Sequence, residues 1–256
     1  MDQHNAVKLA PVVSAVGDRG DRWVLFDGDN TLWHVEALYD HARSELVHCI
    51  EASGADANEI EAFQRLEDKR LFEKLGYSAA RFATSFENTM RRFVPGATVA
   101  QLSCARHLAQ SVFERPAEID PDALGVLSCL RGSHHLALIT AGERWVQERR
   151  VAEFHCADMF DVIQIVERKT ATVFRKLAAD LAIGVEHSWV VGDSLRSDIM
   201  PALAVGLNAI LIANHNWIEV EHAENRPSHL NMVHRLGDVL PIIVRAGHEI
   251  PAPAHS

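Results

Sequence analysis

The chain has 256 residues, 48% of them hydrophobic, which suffices to bury the core of one large domain or of one domain carrying an insertion. Its 35 acidic against 25 basic side chains leave a formal charge of −10, which argues against a broad basic footprint for nucleic acid or an anionic membrane. A small anionic substrate would therefore have to be met by local positive charge.

Residues 1–21 read as a flexible tail. Ala6–Val16 is mildly apolar, but Asp2 precedes it and Lys8 and Pro11 interrupt it, a poor pattern for a signal peptide. Trp23 to Phe26 is a short apolar run of the kind that forms a buried parallel strand. Roughly a hundred residues then pass with no convincing strand, too many for a loop inside a compact domain. Within them Glu36–Ala52, Asn58–Leu75, Ser78–Phe93 and Val99–Phe113 have helical periodicity, with breaks at Gly54, Gly76 and Pro95-Gly96. Four antiparallel helices would make a small bundle, set as an insert at 34–120 within a core at 22–33 and 121–248.

Strand-like runs resume at Leu136–Ile139, Val162–Val166, Trp189–Val191 and Ala209–Ala213. Helical stretches at Glu143–Glu153, Thr170–Leu181 and Ser197–Leu207 separate them, and Val233–Val244 is expected as a closing helix before a frayed tail at 249–256. This alternation predicts an α/β fold, a doubly wound Rossmann-like parallel sheet, with the helical bundle inserted after its first strand. The most apolar stretch, Ile199–Ala213, is broken by Pro201, Gly206 and Asn208 and is shorter than the roughly 20 residues that span a bilayer, so no membrane partner is expected. Cys49, Cys104, Cys129 and Cys156 lie far apart without CxxC spacing, which suggests neither a zinc site nor a disulfide framework and fits a reducing cytoplasm.

Ligands of open α/β sheets gather at the carboxyl ends of the strands, and there this sequence places a chemically coherent set. The first strand leads into Asp27-Gly-Asp29-Asn-Thr31, the second into Thr140-Ala-Gly142, the third toward Lys169, and the fourth into Gly192-Asp193-Ser-Leu-Arg-Ser-Asp198. In-line phosphoryl transfer needs a nucleophile, a cation against the phosphate oxygens and a proton donor for the leaving group. Asp27 can attack, forming an aspartyl phosphate, and Asp29 can protonate the leaving group and then activate water. Asp193 and Asp198 add carboxylates to a hard-cation site suited to Mg²⁺. Thr140, the Gly142 amide and Lys169 can hold the remaining phosphate oxygens.

The DxDxT, Thr, Lys, GDxxxxD order resembles the four motifs of haloacid dehalogenase superfamily phosphatases over about Trp23–Ala213. The resemblance implies that Asp27 is the nucleophile and Asp29 the general acid/base. It also implies a Mg²⁺ site made by Asp27, the Asp29 backbone carbonyl and Asp193, with Asp198 supporting it directly or through water. The helical insert falls where the superfamily's type 1 cap sits, and Gly76-Tyr77-Ser78 resembles that cap's specificity loop. Tyr77 and Arg81 are thereby candidates for touching the substrate, as is His34 at the hinge, whereas Trp33 and Trp217 read as packing residues. Two departures stand out: Ala141-Gly142 follows Thr140 where Asn is frequent, and Thr170 follows Lys169 where Pro is frequent.

Dehalogenases of this superfamily lack the second carboxylate of the first motif, so Asp29 favours a phosphatase. A phosphonate hydrolase would need a cap lysine, and Lys69 and Lys74 lie in a charged helix that reads as solvated. The expected activity is Mg²⁺-dependent hydrolysis of a small phosphorylated metabolite by a monomer or homodimer. The alternatives are a phosphomutase and a non-catalytic protein that binds phosphorylated ligands.

Overall fold

The computed structural model describes residues 19–213 and 230–246. The terminal tails expected from the sequence fall almost wholly outside these residues, as does Trp217. In chain order the elements are β1 (Trp23–Phe26), β2 (Trp33–His34), α1 (Glu36–Glu51), α2 (Ala57–Leu75), α3 (Ala79–Phe93), α4 (Val99–Glu114), β3 (Glu118–Ile119), α5 (Ala123–Leu130) and β4 (His135–Ala141). They continue with α6 (Arg144–Glu153), β5 (Val162–Val166), α7 (Ala171–Asp180), β6 (Trp189–Gly192), α8 (Met200–Leu203), β7 (Asn208–Ile212), β8 (Asn231–Val233) and α9 (Val239–Ala246).

Six strands form a parallel sheet in the order β5-β4-β1-β6-β7-β8. β1 lies between β4 and β6, so the winding direction reverses there and a crevice opens beyond its carboxyl end. All four β1 residues are buried. Trp23 and Leu25 join one core with Phe174 and Leu177 of α7, Ala202 of α8, and Val190, Ala209 and Leu211 of the neighbouring strands. Strand side chains alternate between faces, so Val24 and Phe26 serve the opposite one, where Phe26 meets Phe160 edge-on at 6.4 Å. The doubly wound α/β class read from the sequence is the one observed.

The described residues divide into two compact units. One holds the sheet, with its residues up to His34, Glu118–Ala141 and those from Val151 onward; the other holds Val35–Ala117 together with Gly142–Arg150. In the second unit α1 to α4 enclose Leu46, Ile50, Ile60, Phe82, Phe86 and Met90. Its helix boundaries follow local chemistry: Asp56 accepts from the amides of Asn58 and Glu59, and Thr98 forms a reciprocal capping box with Gln101.

Three local expectations need correction. The interval between β1 and β4 also contains the antiparallel pair β2 and β3 and the helix α5. Two-residue strands have no periodicity to read, and α5, largely apolar in ALGVLSCL, gives little amphipathic signal. The closing helix is shorter than Val233–Val244: Val233 ends β8, and a turn through Leu236–Asp238 precedes α9. Ser197–Leu207 is not one regular helix either, because a π-helical turn at Leu195–Ile199 leads into the short α8.

Candidate active site

Asp27 follows β1, and its amide donates to the Val191 carbonyl at 2.9 Å, which fixes the strand end beside β6. The next residues fold into a tight loop around the Gly28 carbonyl, which accepts from the amides of Thr31, Leu32 and Trp33 at 3.2, 2.9 and 3.2 Å. Asn30 sits in the left-handed region at φ 58°, a conformation that Asn tolerates better than most residues. The loop brings the Trp33 indole over Gly28, where a β-carbon would lie 2.3 Å from ring atom Cζ2. From there the indole Nε1–H donates to Asp29 Oδ1 at 2.6 Å.

Asp193 follows β6, and the π-helical turn carries Asp198 back toward it. Ser194 organises this turn: its carbonyl accepts from the Asp198 amide at 2.9 Å, and its own amide donates to Asp198 Oδ2 at 3.1 Å. Lys169 follows β5, and α7 begins just after it, capped by the Thr170 side chain, which accepts from the Val173 amide at 3.3 Å. Thr thus supplies the helix start that Pro often supplies at this place in the motif. Lys169 Nζ donates to Asp198 Oδ1 at 2.5 Å and also to Asp27 Oδ1. Lys176 is exposed and pairs with Asp180 at 2.6 Å, so Lys169 is the lysine that belongs to this cluster.

One carboxylate oxygen from each of Asp27, Asp193 and Asp198 lies within 4.8 Å of the others, so each can offer a ligand to one ion. Burial pushes Asp27 up to about 7, with the Lys169 charge opposing the shift and Asp198 and Asp29 adding to it. Burial raises Asp193 well above the usual carboxylate range, and the charges of Asp27 and Asp198 reinforce this. Burial acts to lower Lys169, but the two carboxylates outweigh it and hold the ammonium above its ordinary range. Three acidic groups facing one ammonium make an oxygen-rich, electronegative cluster, and this donor set fits a hard divalent cation such as Mg²⁺.

Thr140 is fully buried in β4, paired in register with Ile165 of β5. Gly142 follows β4 directly at φ 147°, where a side chain would be strained, and a β-carbon there would also lie 3.1 Å from Gln147 Nε2. His34 lies in β2, and its Nε2 is 3.1 Å from Asp120 Oδ2. That hydrogen bond raises the His34 pKa above its ordinary value against the effect of burial. Within the helical unit, Arg81 forms an ion pair with Asp68 at 2.9 Å, donates to the Gly76 carbonyl at 3.2 Å and covers the Phe72 ring at 5.3 Å. Tyr77 meets the same Phe72 edge-on at 4.9 Å and is exposed.

Asp27, Asp193, Asp198 and Lys169 are therefore gathered in one cluster, with Asp29 on the adjoining loop. Tyr77 and Arg81 are gathered around Phe72. The sequence reading missed the polar role of Trp33, which it assigned to packing alone. The relevant signal is an indole four residues after an acidic residue, across a loop with glycine at its base.

A sequence model of the haloacid dehalogenase-like hydrolases matches residues 22–206, and the chain belongs to this family. The pyrimidine 5'-nucleotidase YjjG of Escherichia coli is 25% identical over 211 residues, which covers 79% of this chain and 88% of that protein. Human N-acylneuraminate-9-phosphatase is 25% identical over 208 residues, covering 77% and 84%. Among solved structures, a haloacid dehalogenase-like hydrolase from Xanthomonas campestris superimposes with a TM-score of 0.70 at 22% identity, covering 89% of this chain and 98% of the other. L-2-haloacid dehalogenase from Xanthobacter autotrophicus gives a TM-score of 0.61 at 17% identity, covering 88% and 98%. The fold is thus shared with a dehalogenase and also with a phosphatase from Thermococcus onnurineus, which gives a TM-score of 0.56 at 19% identity, covering 87% and 97%.

Proposed function

We propose that this hydrolase is a Mg²⁺-dependent phosphatase that acts on a small phosphorylated metabolite through an aspartyl phosphate on Asp27. The observation that carries the reading is the gathering of Asp27, Asp193 and Asp198 around one position, with Lys169 alongside. Asp27, Asp193 and the Asp29 carbonyl would hold Mg²⁺, with Asp198 supporting it. The ion would supply positive charge against the phosphate oxygens.

The Asp27 carboxylate attacks phosphorus in line while the bond from phosphorus to the leaving oxygen breaks. Asp29 delivers its proton to that oxygen, so the product leaves as a neutral alcohol. Asp29, now ionised, takes a proton from water as the water attacks the acyl phosphate, which releases inorganic phosphate and restores both carboxyl groups. Lys169, Thr140 and the Gly142 amide hold phosphate oxygens during both steps. The dehalogenase reading is less suited to this chain, since displacing halide requires no proton donor in the place of Asp29.

Substrate choice is assigned to the helical unit, with Tyr77 and Arg81 contacting the leaving group and His34 at the hinge. The two phosphatase relatives direct the first assays to pyrimidine nucleoside 5'-monophosphates and N-acylneuraminate 9-phosphate. A cytoplasmic setting agrees with four free cysteines, and no helix among the described residues is long and apolar enough to cross a membrane. The test is phosphate release from a panel of phosphorylated metabolites with Mg²⁺ and after chelation. Release that persists unchanged in chelator overturns the proposal, as does a purified, Mg²⁺-loaded protein that releases phosphate from nothing in the panel.

A further inference from the structure

We infer that Trp33 is a positioning residue for the proton donor: its indole N–H fixes the Asp29 carboxyl in the orientation from which the leaving group is protonated. The inference rests on the phosphatase reading and goes beyond it, because nothing in that mechanism requires an aromatic residue after the catalytic loop.

Four features of the loop converge on this contact. The Nε1 to Asp29 Oδ1 distance is 2.6 Å, at the short end for an N–H donor. The indole is itself held. Trp33 is 1% exposed, and its ring packs on Phe154 at a centroid distance of 5.3 Å. Its backbone is tied twice to the same loop, through its amide to the Gly28 carbonyl at 3.2 Å and through its carbonyl, which accepts from the Asn30 amide at 2.6 Å. Finally, the ring occupies the space that a side chain at Gly28 would fill.

A general acid acts only from within hydrogen-bond reach of the atom it protonates. An Asp side chain turns about two bonds, and a donor anchored in the core restricts that turning. The indole has a single N–H and no acceptor, so it binds one carboxyl oxygen and cannot take the proton.

The test compares wild type with Trp33→Phe, which keeps a buried aromatic ring and removes the N–H. Each is loaded with Mg²⁺ and assayed on an alkyl phosphate and on p-nitrophenyl phosphate, whose leaving group needs little protonation. The expected result is a fall in kcat of about 10- to 100-fold for the alkyl phosphate, as for loss of one hydrogen bond to a charged group, with KM nearly unchanged. The aryl phosphate should lose less than about threefold. Equal losses on both substrates, or none, overturn the inference and leave the phosphatase reading standing. If wild type turns over neither substrate, nor any other phosphate, both fall together.

A second measurement is independent of how Trp33→Phe folds. In protein carrying ¹⁵N-labelled tryptophan, Asp29→Ala should move one indole N–H resonance upfield, as its carboxylate acceptor disappears. Five unmoved indole resonances would show that the contact does not exist in solution and would overturn the inference.

Discussion

Lys169 Nζ bridges Asp198 and Asp27, two carboxylates delivered by different strands, from a side chain only 3% exposed. A single buried ammonium thus holds together the ends of β1 and β6, and its charge also favours the ionised form of the third acid, Asp193. Removing one partner from such a cluster strands like charges in a poorly solvated place. Lys169→Ala should therefore cost about 3–5 kcal/mol in the metal-free protein at pH 8. The loss should shrink toward pH 5, where Asp27 and Asp193, both raised by burial, can protonate. Urea unfolding at the two pH values measures both quantities.

Asp27→Asn should abolish turnover, because an amide cannot form the acyl phosphate. The same change should stabilise the metal-free fold. The folded-state pKa of Asp27, about 7, is raised above its ordinary 3.8, so its contribution is most favourable at low pH and is lost as pH rises between these values. The stability advantage of Asp27→Asn over wild type should accordingly grow from pH 4 to pH 8. An advantage independent of pH would contradict the buried, charge-crowded state of Asp27.

Asp193→Asn should weaken both Mg²⁺ affinity and activity, with partial recovery in excess Mg²⁺. In wild type, adding Mg²⁺ should raise the melting temperature, since a ligand that binds only the folded state stabilises it by mass action. Differential scanning fluorimetry with and without Mg²⁺ should show a smaller rise for Asp193→Asn. Identical shifts would remove Asp193 from the metal site.

Asp29→Asn should reduce hydrolysis of alkyl phosphates on the order of 10²–10⁴-fold while leaving aryl phosphates less affected. Single-turnover kinetics on both substrate types distinguish this from a loss of binding.

His134 offers a pH test away from the site. Burial, with help from the Arg22 charge, pushes its pKa down to about 4. A depressed histidine contributes stability above pH 6.5 and loses it as pH falls through 4. The stability of wild type relative to His134→Gln should therefore decline over that interval, as followed by chemical denaturation.

Asp27 and Asp193 were legible in the sequence because each stands directly after an apolar strand, and strands parallel to one another deliver their ends to the same edge. Asp198 needed in addition its spacing from Asp193, because it lies on the π-helical turn that follows β6. Lys169 needed its offset from the helix, and the Thr170 cap supplies the boundary that separates it from Lys176. The donation from Trp33 to Asp29 was not legible, since it depends on three amide contacts to the Gly28 carbonyl and on a ring filling the place of a missing side chain. The ion pair of Arg81 with Asp68 was hidden for a similar reason: it joins different helices, and helical periodicity says which residues share a face, not which faces meet.

Gly192 leaves room for Asp198 in the same way that Gly28 leaves room for Trp33. A β-carbon at 192 would lie 2.4 Å from the Asp198 carboxyl carbon, and that carboxylate is already fastened to Lys169 and to the Ser194 amide. The two positions therefore cannot vary one at a time: any side chain at 192 evicts the acid at 198, and a smaller residue at 198 leaves Lys169 half-paired. A mutational library that randomises only one of them should return nearly nothing but the starting residue, and a neutral path between alternative site chemistries on this backbone would have to change both in a single step.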